Sequence, residues 1–393
     1  MLQKIKSLSE KYSSEIIKIR HHLHENPELS FCEVKTSEYI IETLKKFNIQ
    51  KISKIAGTGV VALIEGKNSE SKVIALRADI DALPIVEKND IAYKSKNNGV
   101  MHACGHDVHT STLLGVAKIL SELKDEFEGT VKLIFQPAEE KLPGGAIKMI
   151  KEGVLTNPIP EIIIAQHVDP ALPIGTLGFK SGMYMASTDE VYLTVRGKGG
   201  HAAMPHEIND TVLSAAQIIT ALQQVVSRKA KAGIPSVLSF GKIIGNGATN
   251  IIPEEVKIEG TFRTMNEAWR KEALTLIQHI AETTAQAMGT TCEVFIMNGY
   301  PALINDENLT EKVKKIASEF VGNENVKDLE IRMTAEDFSY FTNSKSGILY
   351  RLGVRNEEKG IVNPLHSPSF NIDEKALEIG VGYMAFLAVS LLK

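Results

Sequence analysis

Disulfide chemistry, basic patches and membrane-length apolar runs are all scarce in this chain. Its three cysteines, Cys32, Cys104 and Cys292, lie far apart with no C-x-x-C pair. An odd number at such spacing argues against a disulfide scaffold and favours a reducing compartment. Positive charge is in slight deficit, with 44 Lys and Arg against 48 Asp and Glu and a formal net charge of -4. No basic cluster stands out, so no nucleic-acid partner is expected. The longest apolar stretch, Met384 to Leu392, is interrupted by Ser390 and is far shorter than the roughly 20 residues that span a bilayer. The opening Met1-Leu2-Gln3-Lys4-Ile5-Lys6 carries no apolar signal core. Neither a G-x-S-x-G nucleophile motif nor a phosphate-cradling Walker pattern is present. These absences predict a cytoplasmic, soluble protein that does not use a serine-elbow nucleophile.

What is present is organised in two rhythms. With 393 residues, the default is two domains. Ile5, Leu8, Tyr12, Ile16, Ile19 and Leu23 recur at helical spacing until Asn26-Pro27 stops them. A second helix is predicted around Lys35 to Phe47. Short apolar runs follow at Val60 to Ile64, Val73 to Leu76, Val131 to Phe135 and Ile162 to Ala165, with helical patterns between them. Buried strands alternating with helices predict an α/β domain with a largely parallel sheet flanked by helices. From about Met185 the order becomes β-α-β-β-α-β, a ferredoxin-like α+β unit. After about Tyr300 the α/β pattern resumes. The expected organisation is a discontinuous catalytic domain, 1–184 and 299–393, with an inserted domain at 185–298.

The chemistry concentrates in His102-Ala103-Cys104-Gly105-His106-Asp107. The glycine allows a turn that points a thiolate and an imidazole into one cavity. A buried cysteine beside a helix-capping histidine is the plainer reading of C-x-H in isolation. Its context is richer. Glu139 and Glu140 follow an apolar strand, His167 follows another, and His366 sits in Pro364-Leu365-His366-Ser367-Pro368. Cys104, His106, Glu140, His167 and His366 together supply thiolate, imidazole and carboxylate, the ligands of a divalent transition metal. One metal needs only three protein ligands plus water. Five groups fit two ions sharing a bridge, about 3.5–4 Å apart. Of two adjacent carboxylates, one can bind metal while the other serves as general base. Asp79 and Asp81, before Pro84, can shape a turn or accept a hydrogen bond from a ligand histidine.

The inserted domain has its own signature, Gly197-Lys198-Gly199-Gly200-His201, with Asn250 and Arg263 on an adjoining hairpin. A guanidinium pairs bidentately with a carboxylate, so Arg263 suits an anionic substrate end. His21, His22 and His24 lie on a helix before a proline and are read as structural.

These motifs resemble the metallo-amidohydrolase family of hippurate hydrolases, N-acyl-amino-acid hydrolases and auxin-conjugate hydrolases, within the aminoacylase and carboxypeptidase group. The matching stretches are Arg20 to Glu28, Leu76 to Pro84, Met101 to His109, Phe135 to Glu140, Gly197 to Pro205, Asn250 to Pro253, Thr334 to Phe338 and His366. The resemblance implies that Cys104 bridges two metals, one completed by Glu140 and His366, the other by His106 and His167. It implies that Glu139 is the general base and that Asp81 supports a ligand histidine, while Asp79 stands where relatives have a ligand histidine. It further implies that His201 stabilises the oxyanion, commonly across a dimer, and that Asn250 and Arg263 bind the substrate carboxylate. Gln166 departs from the apolar residue usual before the histidine.

The expected activity is two-metal hydrolysis of N-acetyl or N-benzoyl amino acids to a carboxylate and a free amino acid. N-Acetyl-diaminopimelate deacetylase and dipeptidase activities are the alternatives on the same site. A non-catalytic metal- or ligand-binding protein on a hydrolase scaffold is the remote one, and it predicts a missing ligand or base that is not seen. Zinc or manganese are the first candidate metals, with cobalt or nickel next. A homodimer or tetramer through the inserted domain is the expected assembly.

Overall fold

A computed structural model describes all 393 residues. They form two compact units. The first comprises Met1–Gly182, Ile304–Glu330 and Asp337–Lys393, and the second comprises Met183–Leu303 and Ile331–Glu336. The segment 331–336, which the apolar pattern assigns to the catalytic domain, therefore groups with the inserted one. Its attachment is main-chain pairing. The Ala186 N–H donates to the Arg332 and Thr334 carbonyls at 3.1 and 3.0 Å, and the Arg332 N–H to the Tyr184 carbonyl at 2.9 Å. Side-chain periodicity does not report such pairing.

The first unit is built on an eight-stranded sheet. Its four central strands, Thr130–Gln136, Val73–Asp79, Ile162–Pro173 and Ser346–Arg355, are mutually parallel. Antiparallel pairs extend both sides: the hairpin Ile52–Ile55 and Gly59–Glu65 on one, and Leu177–Phe179 against Ser346–Arg355 on the other. Every residue of Val73–Asp79 and Thr130–Gln136 is buried, so these strands read as continuous apolar runs rather than as alternation. The helices Leu2–Glu25, His106–Glu122 and Lys375–Leu392 pack on one another and share the core cluster with the sheet. Lys375–Leu392 is long and apolar enough to cross a membrane by those measures alone. In this fold most of it is buried inside the core.

The second unit follows the predicted strand-helix-strand-strand-helix-strand order. Its antiparallel sheet runs Ser236–Gly245, Glu255–Thr264, Asp189–Arg196, Thr291–Asn298. Val191, Leu193 and Val195 point from the sheet into a core with Ile218 and Leu222 of helix Thr211–Gln224 and Ala273 and Ile277 of helix Glu267–Ala287. Both helices start on a side-chain cap. Asp210 accepts from the Val212 and Leu213 N–H groups, and Asn266 accepts from that of Trp269.

Candidate active site

The Cys104-Gly105-His106 turn depends on its glycine. Gly105 has φ +83° and directly precedes the helix His106–Glu122. A Cβ there would stand 2.5 Å from Val168 Cγ2, so both conformation and space exclude a side chain. The turn is tied to the C-terminal loop, because the His366 N–H donates to the Ala103 carbonyl at 2.9 Å.

The remaining candidates cluster at the carboxyl ends of the parallel strands, the usual ligand-binding end of an open α/β sheet. Asp79 closes its strand, and Glu139 and Glu140 follow Gln136. His167 differs from expectation in one respect: it lies within a strand that continues to Pro173, rather than after one ending at Ala165. Pairing with Val73–Asp79 does end at Ala165, but pairing with Ser346–Arg355 carries the strand onward. The polar Gln166-His167 pair breaks the apolar run without breaking the ladder.

Five side-chain groups have ligand-type atoms all within 4.8 Å of one another, and three of them hold the predicted residues: Cys104, His106 and His167; Cys104, Glu140 and His366; and His106, Glu139 and Glu140. Cys104 belongs to the first two. Its Sγ lies 3.5 Å from His167 Nε2, and His366 Nε2 lies 3.2 Å from Glu140 Oε1. The ring tautomers follow from the acceptors. His106 Nδ1 donates to Asp81, to its carbonyl at 2.9 Å and its carboxylate at 3.1 Å. His167 Nδ1 donates to the Val168 carbonyl at 2.7 Å. Each ring therefore turns its Nε2 toward the cluster, the nitrogen that a metal ion would take in place of a proton.

The electrostatics suit a cation. Buried His106 Nε2 has no hydrogen-bond partner, with Asp79 Oδ2 at 3.7 Å and Glu140 Oε1 at 4.0 Å. Such an orphaned atom costs roughly 1–3 kcal/mol, which a coordinated ion offsets. Burial pushes the Cys104 thiol well above its ordinary range, and Glu140, Glu139 and Asp79 push it further. A divalent cation held between these groups would reverse that balance and favour the thiolate of Cys104. Burial opposes a charge on His106, yet Asp79, Asp81 and Glu140 outweigh it and raise its pKa to about 10. The negative field that holds a proton there is equally able to hold a metal ion. Burial, helped by Arg351, keeps His167 neutral, the form in which imidazole binds metal.

Several contributors had no assigned part in the motif. His109 lies one helical turn after His106, a spacing that places both on one face. It is not available as a ligand. Its Nε2 accepts the Val168 N–H at 2.9 Å, so its Nδ1 donates to Asp79 at 2.6 Å. Asp79 also receives Arg77 at 2.7 Å, which makes it an anchor inside the network. Ser30 donates to Asp81 at 2.6 Å, and the Glu140 N–H donates to the same Asp81 oxygen at 3.0 Å. No local pattern links residues 30, 81 and 140. Gln166, the departure from the family pattern, is buried and accepts the Tyr350 hydroxyl at 3.0 Å. His24 is committed to Asp107 and Glu87, at 2.9 and 3.1 Å.

His201, Asn250 and Arg263 belong to the second unit. His201 is exposed, pairs with Ile251, and its Nδ1 accepts the Ala203 N–H at 3.1 Å. Asn250 is exposed, and its carbonyl accepts the Ala202 N–H at 3.0 Å. Arg263 is half-buried and donates to the Met333 carbonyl at 3.4 Å.

Comparison with known proteins places this site in context. Peptidase family M20/M25/M40 matches residues 75–390. The thermostable carboxypeptidase 2 of Saccharolobus solfataricus is 39% identical over 392 residues, 99% of this chain and 98% of that one. The N-acyl-L-amino acid amidohydrolase of Geobacillus stearothermophilus is 41% identical over 303 residues, 77% of this chain and 81% of that one. A dinuclear metal-binding peptidase of Bacillus subtilis, known by crystal structure, superposes with a TM-score of 0.82 at 33% identity, covering 98% of this chain and 99% of its own.

Proposed function

The chain belongs to peptidase family M20/M25/M40 and is a metal-dependent amidohydrolase, and on that premise we propose that it hydrolyses N-acyl amino acids to a carboxylate and a free amino acid. The observation that carries the reading is the pair of ligand groups sharing Cys104, with the buried carboxylate of Glu139 alongside. We assign Cys104, Glu140 and His366 to one ion and Cys104, His106 and His167 to the other. When bound, such ions supply Lewis-acid polarisation of the scissile carbonyl. Glu139 takes a proton from the attacking water as the new C–O bond forms. It then passes that proton to the nitrogen as the C–N bond breaks. Asp81 holds His106 in the tautomer that its part requires.

In the second unit, His201 is proposed as oxyanion donor, and Asn250 and Arg263 as the groups that receive the substrate carboxylate. Half-burial lowers the pKa of the Arg263 guanidinium, and the carboxylate of Glu190 in the same unit offsets only part of that, as suits a residue that receives a further anion. Zinc or manganese, a homodimer or tetramer through the second unit, and a cytoplasmic location complete the proposal. Three unpaired cysteines support the last.

Acetyl and benzoyl are the first acyl groups to try. The similarity to a carboxypeptidase favours a second reading, in which the acyl group is a peptide. Turnover of N-acetyl and N-benzoyl amino acids, N-acetyl-diaminopimelate and dipeptides, after reconstitution with each metal, separates the readings. Glu139→Gln is expected to retain metal and to lose turnover by about 10²–10⁴-fold. Full turnover by metal-loaded Glu139→Gln protein would sink the assignment of the base.

A further inference from the structure

We propose that Glu33 is a positioning residue for the reaction: its carboxylate fastens the strained turn at Ala138 and thereby aims Glu139. The inference rests on the reading of Glu139 as general base.

Ala138, immediately before Glu139, has φ +50° and is fully buried. An L side chain holds this left-handed conformation only where its surroundings enforce it. The enforcing group is Glu33, the residue that precedes helix Val34–Lys46. Glu33 Oε1 accepts the Ala138 N–H at 2.8 Å and the Phe31 N–H at 3.0 Å. Phe31 is itself left-handed, with φ +67°. One carboxylate oxygen thus joins two strained residues from distant parts of the chain. The other oxygen accepts the Thr58 hydroxyl at 2.7 Å, which fixes the direction of the carboxylate.

The turn is held from its other sides as well. The Gly145 N–H donates to the Ala138 carbonyl at 2.9 Å, and the Glu140 N–H donates to Asp81 at 3.0 Å. Glu139 lies between these anchors, so the direction in which its side chain leaves the backbone is set before any ligand binds. Glu33 is absent from every group of metal-ligand atoms. No cation is among its three hydrogen-bond donors, and burial raises the pKa of its carboxyl. A buried acid kept without an ion-pair partner is explained by the geometry it imposes.

The test compares Glu33→Ala and Glu33→Gln with the wild type, each loaded with metal. Three quantities are read: kcat and KM on an N-acyl amino acid, bound metal per chain, and hydrogen exchange of the Ala138 amide. Glu33→Ala is expected to lower kcat roughly 10- to 100-fold, the usual cost of a misplaced reacting group. KM and metal content should stay within about twofold of wild type, and the Ala138 amide should exchange faster. Glu33→Gln keeps a carbonyl oxygen for both N–H groups, so it should retain most of kcat and most of the amide protection. If Glu33→Ala does not fold, Glu33→Asp takes its place. That side chain is one methylene shorter and cannot span both amides, so the same pattern is expected. Wild-type kcat and exchange in the truncated variant, or a fall in kcat fully accounted for by lost metal, would overturn the proposal. Should the wild type prove inactive on every acyl amino acid, the functional reading fails by itself. The exchange measurement then still decides whether Glu33 holds Ala138.

Discussion

In the first unit the candidate groups are mostly buried, and each buried imidazole among them has its orientation set by an acceptor. Asp81 orients His106, and the Val168 carbonyl orients His167. In the second unit His201 and Asn250 are exposed, and Arg263 is held by a single 3.4 Å hydrogen bond. The contrast separates two kinds of work. Buried, oriented donors can bind a small ion at fixed distances, which demands preorganisation. Exposed, lightly held donors suit contact with a substrate that arrives and leaves. His366, exposed but anchored through its backbone to Ala103, is the one first-unit group that departs from the rule.

Substitutions can break or sharpen this contrast. The largest effect is expected at Cys104. Cys104→Ser should weaken both metals, whereas His106→Ala should mainly weaken one, as read by metal content after dialysis. Loss of the same single ion in both variants would show that Cys104 does not bridge. Next comes His201→Ala, with an expected fall in kcat of about 10²–10³-fold and metal content unchanged. If that variant loses metal, the division of labour between the units is wrong. Asp81→Asn should weaken metal binding by about 10–100-fold, because His106 loses the negative charge beside its Nδ1 and keeps only neutral acceptors, the main-chain carbonyl among them. Chelator titration followed by activity recovery measures it. The smallest effect belongs to Gly105→Ala. Forcing a left-handed alanine costs roughly 1–2 kcal/mol before the contact with Val168 is counted, and urea unfolding of the metal-free protein reads it directly.

The fold was largely legible along the chain. The apolar runs at Val73 and Val131 and the switch of rhythm near Met185 are local signals, and they led to the parallel sheet and the ferredoxin-like unit. What escaped was carried by main-chain pairing: the extension of the His167 strand to Pro173, and the attachment of 331–336 through Tyr184 and Ala186. Backbone groups are the same in every residue, so side-chain patterns are silent about them.

The site divides along the same line. Its proposed ligands and base could be named because thiolate, imidazole and carboxylate chemistry belongs to residue types, and Cys104-Gly105-His106 and Glu139-Glu140 are contiguous. The supporting groups could not. Ser30 reaches Asp81, Glu33 reaches Ala138, and Asp79 reaches Val168 through His109, each across a long stretch of sequence. A hydrogen bond between distant residues leaves no mark on the local pattern of either partner. The chain alone therefore determined which ligand and base types are on offer, whereas folding decided which of their atoms come together and are held still.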